Sequence, residues 1–206
     1  MLVIVDYGMG NLHSVAKALE RVGGRPLVSG DPDAVARADR LVLPGVGAFA
    51  QAIAQLRRTG LDEAILDFLR AEKPFLGICL GLQLLATRSR EDGLHEGLDV
   101  IPGECVRFAP TPDETGRPLR VPHIGWNQVL PTREVPVLAG IPPGTAFYFV
   151  HSYVIQPTTR DDVAAETDYG GRFCSMVQRG HIVACQFHPE KSQRWGLKLL
   201  ENWLRG

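Results

Sequence analysis

Three short apolar runs, LVIVD at residues 2–6, LVL at 41–43 and PFLGI at 74–78, limit the folds open to this chain more than any other feature. Their length and their turn-forming flanks read as strands buried on both faces. The segments between them read as helices. After the turn YGMG, Leu12, Val15, Ala16, Leu19 and Val22 recur at helical spacing, and Gly23–Gly24 ends that stretch. Helix-like segments follow at about 48–58 and 61–72. Strand–helix alternation of this kind predicts a parallel sheet covered by helices on both faces.

The second half has a different pattern. APTPDETGRP (109–118) is rich in proline and charge and reads as an exposed loop. β-Rich segments follow: WNQVL (126–130), AFYFVHSYVI (146–155), DVAAET (162–167), FCSMVQ (173–178) and HIVACQF (181–187). Hairpin-like turns at YGGR (169–172) and RGH (179–181) make part of the sheet mixed or antiparallel. The chain closes on a helix, about 191–205, that would bury Trp195, Leu199, Leu200 and Trp203. The expected fold class is α/β: an open, mixed, largely parallel sheet in three layers, flanked by helices. A chain of 206 residues with 45% hydrophobic content suits one core, hence a single domain over 1–206.

Composition excludes several functions. Lys plus Arg (22) nearly balances Asp plus Glu (23), so no basic field argues for nucleic acid. Cys79, Cys105, Cys174 and Cys185 show no paired spacing, which suggests neither a disulfide framework nor a zinc site. No apolar run approaches the roughly 18 residues of a membrane span, and the N-terminus lacks a signal-peptide pattern. A soluble cytoplasmic protein is expected. In YGMGNLHS, His13 stands where a dinucleotide-binding loop would place its third glycine. There is no phosphate-binding GxxxxGK[ST] run, and His13, His95, His123 and His181 are not at metal-ligand spacing. No metal, NAD or ATP is implied, and no other cofactor.

In open α/β sheets, ligands bind beyond the carboxyl ends of the strands. Here PFLGI ends in Cys79, LVL ends in PGVG (44–47), and IVACQF ends in His188-Pro189-Glu190. In G-I-C-L-G the glycines stand two residues either side of Cys79, as in a strand–turn–helix nucleophile elbow. A helix continued by LQLLATR would place the thiol at its N-terminus, where the dipole favours thiolate. The segment alone equally suits a core cysteine beside a turn. His188 and Glu190, at i and i+2 in an extended segment stiffened by Pro189, would point to the same side. Imidazole can accept a proton and return it, and a carboxylate on its other nitrogen would fix the tautomer. The alternative makes Glu190, Lys191 and Ser192 a helix start, with His188 merely hydrogen-bonded nearby. Attack on an amide generates an oxyanion. Gly45, Val46 and Gly47 could turn backbone N–H groups toward it, with Leu80 supplying a second donor; a plain strand-to-helix turn would carry the same residues.

GICLGLQ together with FHPEKS resembles the class I (triad) glutamine amidotransferases, which hydrolyse glutamine with a cysteine, a histidine and a glutamate. DYGMGNLHSV, LPGVGAF, PHIGWN, FYFVHSY and HPEKSQRWG, spread from residue 6 to residue 196, are similar in particular to the glutaminase subunits of imidazole glycerol phosphate synthases. The resemblance implies a flavodoxin-like sheet, with Cys79 as nucleophile, His188 as acid/base and Glu190 as its orienting partner. Gln83 would lie beside the substrate, L-glutamine; Glu91 would meet its α-amino group; Ser152 and Tyr153 would hold its α-amino acid end. It further implies a heterodimer with a (β/α)8-barrel cyclase subunit, met through Asn11, Trp126, Tyr148 and Lys191, that makes imidazole glycerol phosphate and AICAR in histidine biosynthesis. In that family the glutaminase is nearly silent until the partner binds its nucleotide, which would require the PGVG loop to reorient. The remaining alternatives are another class I amidotransferase, a freestanding cysteine hydrolase, or a non-catalytic regulatory subunit.

Overall fold

A computed structural model describes residues 1–112 and 115–206. In chain order the elements are β1 (Leu2–Val5), α1 (Leu12–Arg21), β2 (Pro26–Ser29), α2 (Pro32–Ala36), β3 (Arg40–Gly45), α3 (Phe49–Thr59), α4 (Leu61–Arg70), β4 (Phe75–Cys79), α5 (Leu80–Gln83), β5 (Ala86–Ser89), β6 (His95–Glu96), β7 (Ile101–Arg107), β8 (His123–Pro131), β9 (Thr145–His151), β10 (Tyr153–Pro157), β11 (Val163–Asp168), β12 (Arg172–Arg179), β13 (Ile182–Cys185) and α6 (Gln193–Arg205). A nine-stranded sheet runs β2-β1-β3-β4-β13-β12-β11-β8-β9. Neighbours are parallel from β2 to β13 and antiparallel from β13 to β9. The parallel strands expected from the alternation and the antiparallel ones expected from the hairpin-like turns are therefore present in one mixed sheet. Helix-containing crossovers join β1 to β4, β13 returns beside β4 after residues 80–181, and the hairpins at 169–172 and 179–181 join β11, β12 and β13.

Side-chain alternation along the strands divides the core between the two faces of this sheet. Val3, Val5, Leu41 and Phe75 pack with Val35, Phe49, Leu56, Ile65 and Phe68 from α2, α3 and α4. Leu2, Ile4, Val42 and Leu76 point the other way and pack with Val15, Leu19, Leu199, Leu200 and Trp203 from α1 and α6. Trp195 is only half-buried, with the Arg194 guanidinium 4.6 Å from its ring centroid. No helix among the described residues is long and apolar enough to cross a membrane. In the expected loop at 109–118, residues 113 and 114 lie outside the described residues.

Two features went unread in the sequence and one expectation needs correction. The β-rich run 146–155 is two strands. It breaks at Ser152, whose carbonyl accepts the Phe108 N–H at 2.8 Å; β9 pairs with β8, and β10 joins a second sheet, β10-β7-β5-β6. Likewise, LQLLATR does not continue as helix beyond Gln83. The carbonyls of Leu84, Leu85 and Ala86, which a longer helix would need, accept N–H groups from Leu98, Val100, Ile101 and Asp99 instead. Finally, β2 and α2 carried too little pattern to be read: Leu27 and Val28 of the edge strand are exposed, and α2 is five residues long.

The glycines around Cys79 permit close approach. A Cβ at Gly81 would lie 1.9 Å from the Leu43 carbonyl oxygen, and one at Gly77 would lie 2.8 Å from Ala184 Cβ. Gly81→Ala should therefore lower the unfolding free energy in a urea titration by roughly 3 kcal/mol. Gly23→Ala meets no atom within 4 Å and opposes only a φ of +90°. It should cost about 1 kcal/mol.

Candidate active site

β3, β4 and β13 lie side by side and parallel, with Gly45 opposite Cys79 and Cys185 opposite Ile78. The three strand ends singled out in the sequence therefore meet at one edge of the sheet. Cys79 is the last residue of β4 and has φ 55°, ψ −108°, a backbone conformation L residues seldom adopt. Its thiol is buried and free, with Gln186 Nε2 at 3.7 Å and the Val150 carbonyl at 3.9 Å. The helix after it is a single turn, all four residues buried, so the dipole it offers the sulfur is that of one turn of N–H groups.

His188 and Glu190 are in contact, but not by the extended geometry expected. Pro189–Lys191 forms a 3-10 turn, and this turn folds the carboxylate back so that His188 Nδ1–H donates to Glu190 Oε1 at 2.7 Å. Both side chains are buried. The His188 N–H donates to the Tyr148 carbonyl at 2.9 Å, and its carbonyl accepts the Ser192 hydroxyl at 2.6 Å, so the backbone is held from two sides. Burial alone would lower the pKa of His188. The neighbouring Cys79 sulfur and the Glu190 carboxylate outweigh it and raise the value to about 9. Of the two, the hydrogen-bonding influence of the Cys79 sulfur is the larger, with Glu190 next; Nε2 itself is buried, with no closer hydrogen-bond partner among the described residues.

A cavity of about 330 Å³ joins these groups, lined by Val46, Gly47, Leu80, Gln83, Glu91, Ser152 and Tyr153 together with Cys79 and His188. Gly45 is not in its lining. It stays paired in β3, beneath the Tyr7 hydroxyl and Leu80, where a Cβ would lie 2.4 and 2.8 Å from them. Gly47 has φ +97°. Glu91 Oε2 accepts the Phe49 N–H at 2.7 Å, so the carboxylate in the cavity also caps α3, the helix that follows PGVG. A larger cavity of about 450 Å³ lies by Arg107, Arg160, Glu166 and Cys174. It holds no nucleophile–base pair, and its Glu166 is already bound by Arg160.

Trp126, Tyr148 and Lys191 form one surface cluster. Trp126 faces Tyr148 across β8 and β9 with ring centroids 6.1 Å apart, and Lys191 Nζ lies 5.7 Å from the Tyr148 ring centroid. Ile124, 60% exposed, and Trp126, 49% exposed, lie at i and i+2 of β8 and so share one strand face. Asn11 caps α1, which packs against the Pro189–Lys191 turn, through a 3.4 Å bond to the Ser14 N–H. Sequence reasoning passed over His151, Val150, Pro122 and Gln186. The first three line the cavity. Gln186 carried a usable signal, being a buried amide in an otherwise apolar run.

The model of the class-I glutamine amidotransferase family matches residues 3–205. Imidazole glycerol phosphate synthase subunit HisH of Syntrophotalea carbinolica is 53% identical over 203 residues, 98% of each chain. The protein of the same name from Rhodopirellula baltica is 50% identical over 203 residues, 98% of this chain and 96% of the relative. Among solved structures, PurLQS from Thermotoga maritima matches with a TM-score of 0.74 at 17% identity, covering 99% of this chain and 97% of its own. That likeness supports the fold. This chain belongs to the class-I glutamine amidotransferase family.

Proposed function

We propose that this chain is the glutaminase subunit of an imidazole glycerol phosphate synthase, acting as one cytoplasmic domain that releases ammonia to a (β/α)8-barrel cyclase subunit. The observation that carries the catalytic part is the pairing of His188 Nδ1 with Glu190 at 2.7 Å. It leaves Nε2 as the working nitrogen in a cavity shared with Cys79. With its pKa raised to about 9, His188 holds a proton at neutral pH. The Cys79 thiolate attacks the side-chain amide carbon of glutamine, and the oxyanion that forms is met by backbone N–H groups of Val46, Gly47 and Leu80. His188 gives its Nε2 proton to the departing nitrogen, ammonia leaves, and a γ-glutamyl thioester remains on Cys79. A water that loses its proton to Nε2 then attacks the thioester, and glutamate is released with the thiolate restored. Glu190 keeps the imidazole in the tautomer both steps need. Glu91, Ser152 and Tyr153 hold the amino-acid end of the substrate, and Gln83 lies beside it.

The names of the relatives support the partner reading, and so does the exposure of the apolar residues Ile124 and Trp126 on one strand face. Tyr148 belongs to both regions: its ring sits between Trp126 and Lys191, and its carbonyl holds the His188 N–H. A cyclase docking there, with Asn11 at the rim, presses on the strand that positions the base. This gives partner dependence a physical route.

Glutamate release should rise at least tenfold when the cyclase and its nucleotide substrate are added; equal turnover without them would favour a freestanding hydrolase. Cys79→Ala should abolish glutamine-dependent synthesis in the complex and leave synthesis from ammonium salts intact, as read by product absorbance. Stability should also follow pH. The raised pKa of His188 stabilises the fold fully below its ordinary value of 6.5, and this contribution is lost as pH rises through about 9. Wild type should exceed His188→Gln by on the order of 1–3 kcal/mol more at the low end of that window than at the high end, in urea titrations.

A further inference from the structure

We propose that Gln186 is a positioning residue for the nucleophile: its carboxamide holds an N–H donor against the Cys79 sulfur, in an orientation dictated by the Tyr153 carbonyl through Gln83. This inference rests on Cys79 being the nucleophile. The polarity of the network follows from its fixed end. A backbone carbonyl only accepts, so the Gln83 atom 3.0 Å from the Tyr153 oxygen is the amide nitrogen, Nε2. The same nitrogen lies 3.1 Å from a side-chain atom of Gln186, which must then be the oxygen, Oε1. What remains for Cys79 is the Gln186 nitrogen, 3.7 Å from Sγ. Flipping either amide would set donor against donor or acceptor against acceptor.

The fixed end is itself held. His151 Nδ1–H donates to the same Tyr153 carbonyl at 3.1 Å, and its Nε2 accepts from His123 Nδ1 at 3.0 Å. Burial keeps both imidazoles neutral, pushing His151 down to about 3 and His123 to about 4. Neutral rings are what this one-way chain of donors requires. At the other end, the Gln186 N–H donates to the Ser175 carbonyl at 2.9 Å, which ties its backbone to β12. Gln186 is fully buried, where an amide without good partners costs free energy. It directs its donor at a sulfur, a weak acceptor as thiol and a far better one as thiolate. The contact therefore strengthens when the nucleophile ionises. Other titratable groups acting on or near the sulfur are His188, Glu190, Tyr7, Cys105, Cys185 and Glu91. Of these, His188 and Glu91 line the cavity together with Cys79.

The test is the rate at which iodoacetamide alkylates Cys79 in the full chain. It is read by mass spectrometry of the Cys79 peptide across about pH 5 to 10, for wild type, Gln186→Glu and Gln186→Met. Gln186→Glu puts a carboxylate oxygen where the donor was. Its alkylation midpoint should move up by about one pH unit, with alkylation about tenfold slower at pH 7. Gln186→Met has neither donor nor charge and should react roughly threefold more slowly. A role in packing alone would lower the melting temperature and leave the pH midpoint where it was. Profiles of both variants that overlay wild type, in protein that melts cooperatively, would overturn the proposal; if Gln186→Glu does not fold, Gln186→Met decides. Cys79→Ala separates the two levels. Glutamine hydrolysis that survives it sinks the reading of Cys79 itself, whereas hydrolysis lost together with unmoved profiles sinks only the role of Gln186.

Discussion

A side chain at Gly81 would put its Cβ 1.9 Å from the carbonyl oxygen of Leu43, so α5 rests backbone-on-backbone against β3. The geometry of the site follows from that contact. The chain must leave β4 and enter α5 within one residue, and Cys79 takes up the reversal with φ 55° and ψ −108°. Such a conformation costs about 1–3 kcal/mol and persists only where its surroundings over-determine it. Here they do, because β4 is paired on one side with β3 and on the other with β13. The sulfur is thereby held at the end of a strand paired on both sides rather than on a loop.

The base is built differently. His188 follows β13 into irregular chain and is held by main-chain bonds to Tyr148 and Ser192, while Glu190 reaches it from a 3-10 turn. That turn is closed by α6, where Gly196 leaves no room for a side chain: a Cβ would lie 1.8 Å from the Pro189 carbonyl oxygen. Nucleophile and base thus come from two regimes, a strained elbow in the parallel part and a glycine-locked turn tied to β9 in the antiparallel part. The cavity lies at the seam between them. β9 touches both groups, through the Tyr148 carbonyl that holds the His188 N–H and the Val150 carbonyl 3.9 Å from the Cys79 sulfur.

Much of this was legible in the chain itself. Each short apolar run at 2–6, 41–43 and 74–78 became a strand of the parallel part, because short buried strands leave a continuous apolar signature. Elements whose signal was shared or weak were not legible. β10 was hidden inside a run that continued β9, and its separation depends on a partner strand, β7, remote in sequence. The length of α5 was hidden for the same reason: the carbonyls that end the helix are taken by residues 98–101, which no local pattern announces.

For the site, the sequence by itself determined which residue types were available and where strands would deliver them: Cys79 after one apolar run, PGVG after another, His188 and Glu190 after a third. Spacing along the chain carries that information because a strand end is a local property. Only the tertiary structure decided that β3, β4 and β13 are neighbours, and that Glu190 meets His188 through a turn rather than along a strand. It alone revealed Gln186 as the link between Cys79 and Gln83. Hydrogen-bond polarity depends on which acceptors lie within about 3 Å, and folding, not sequence order, sets those distances.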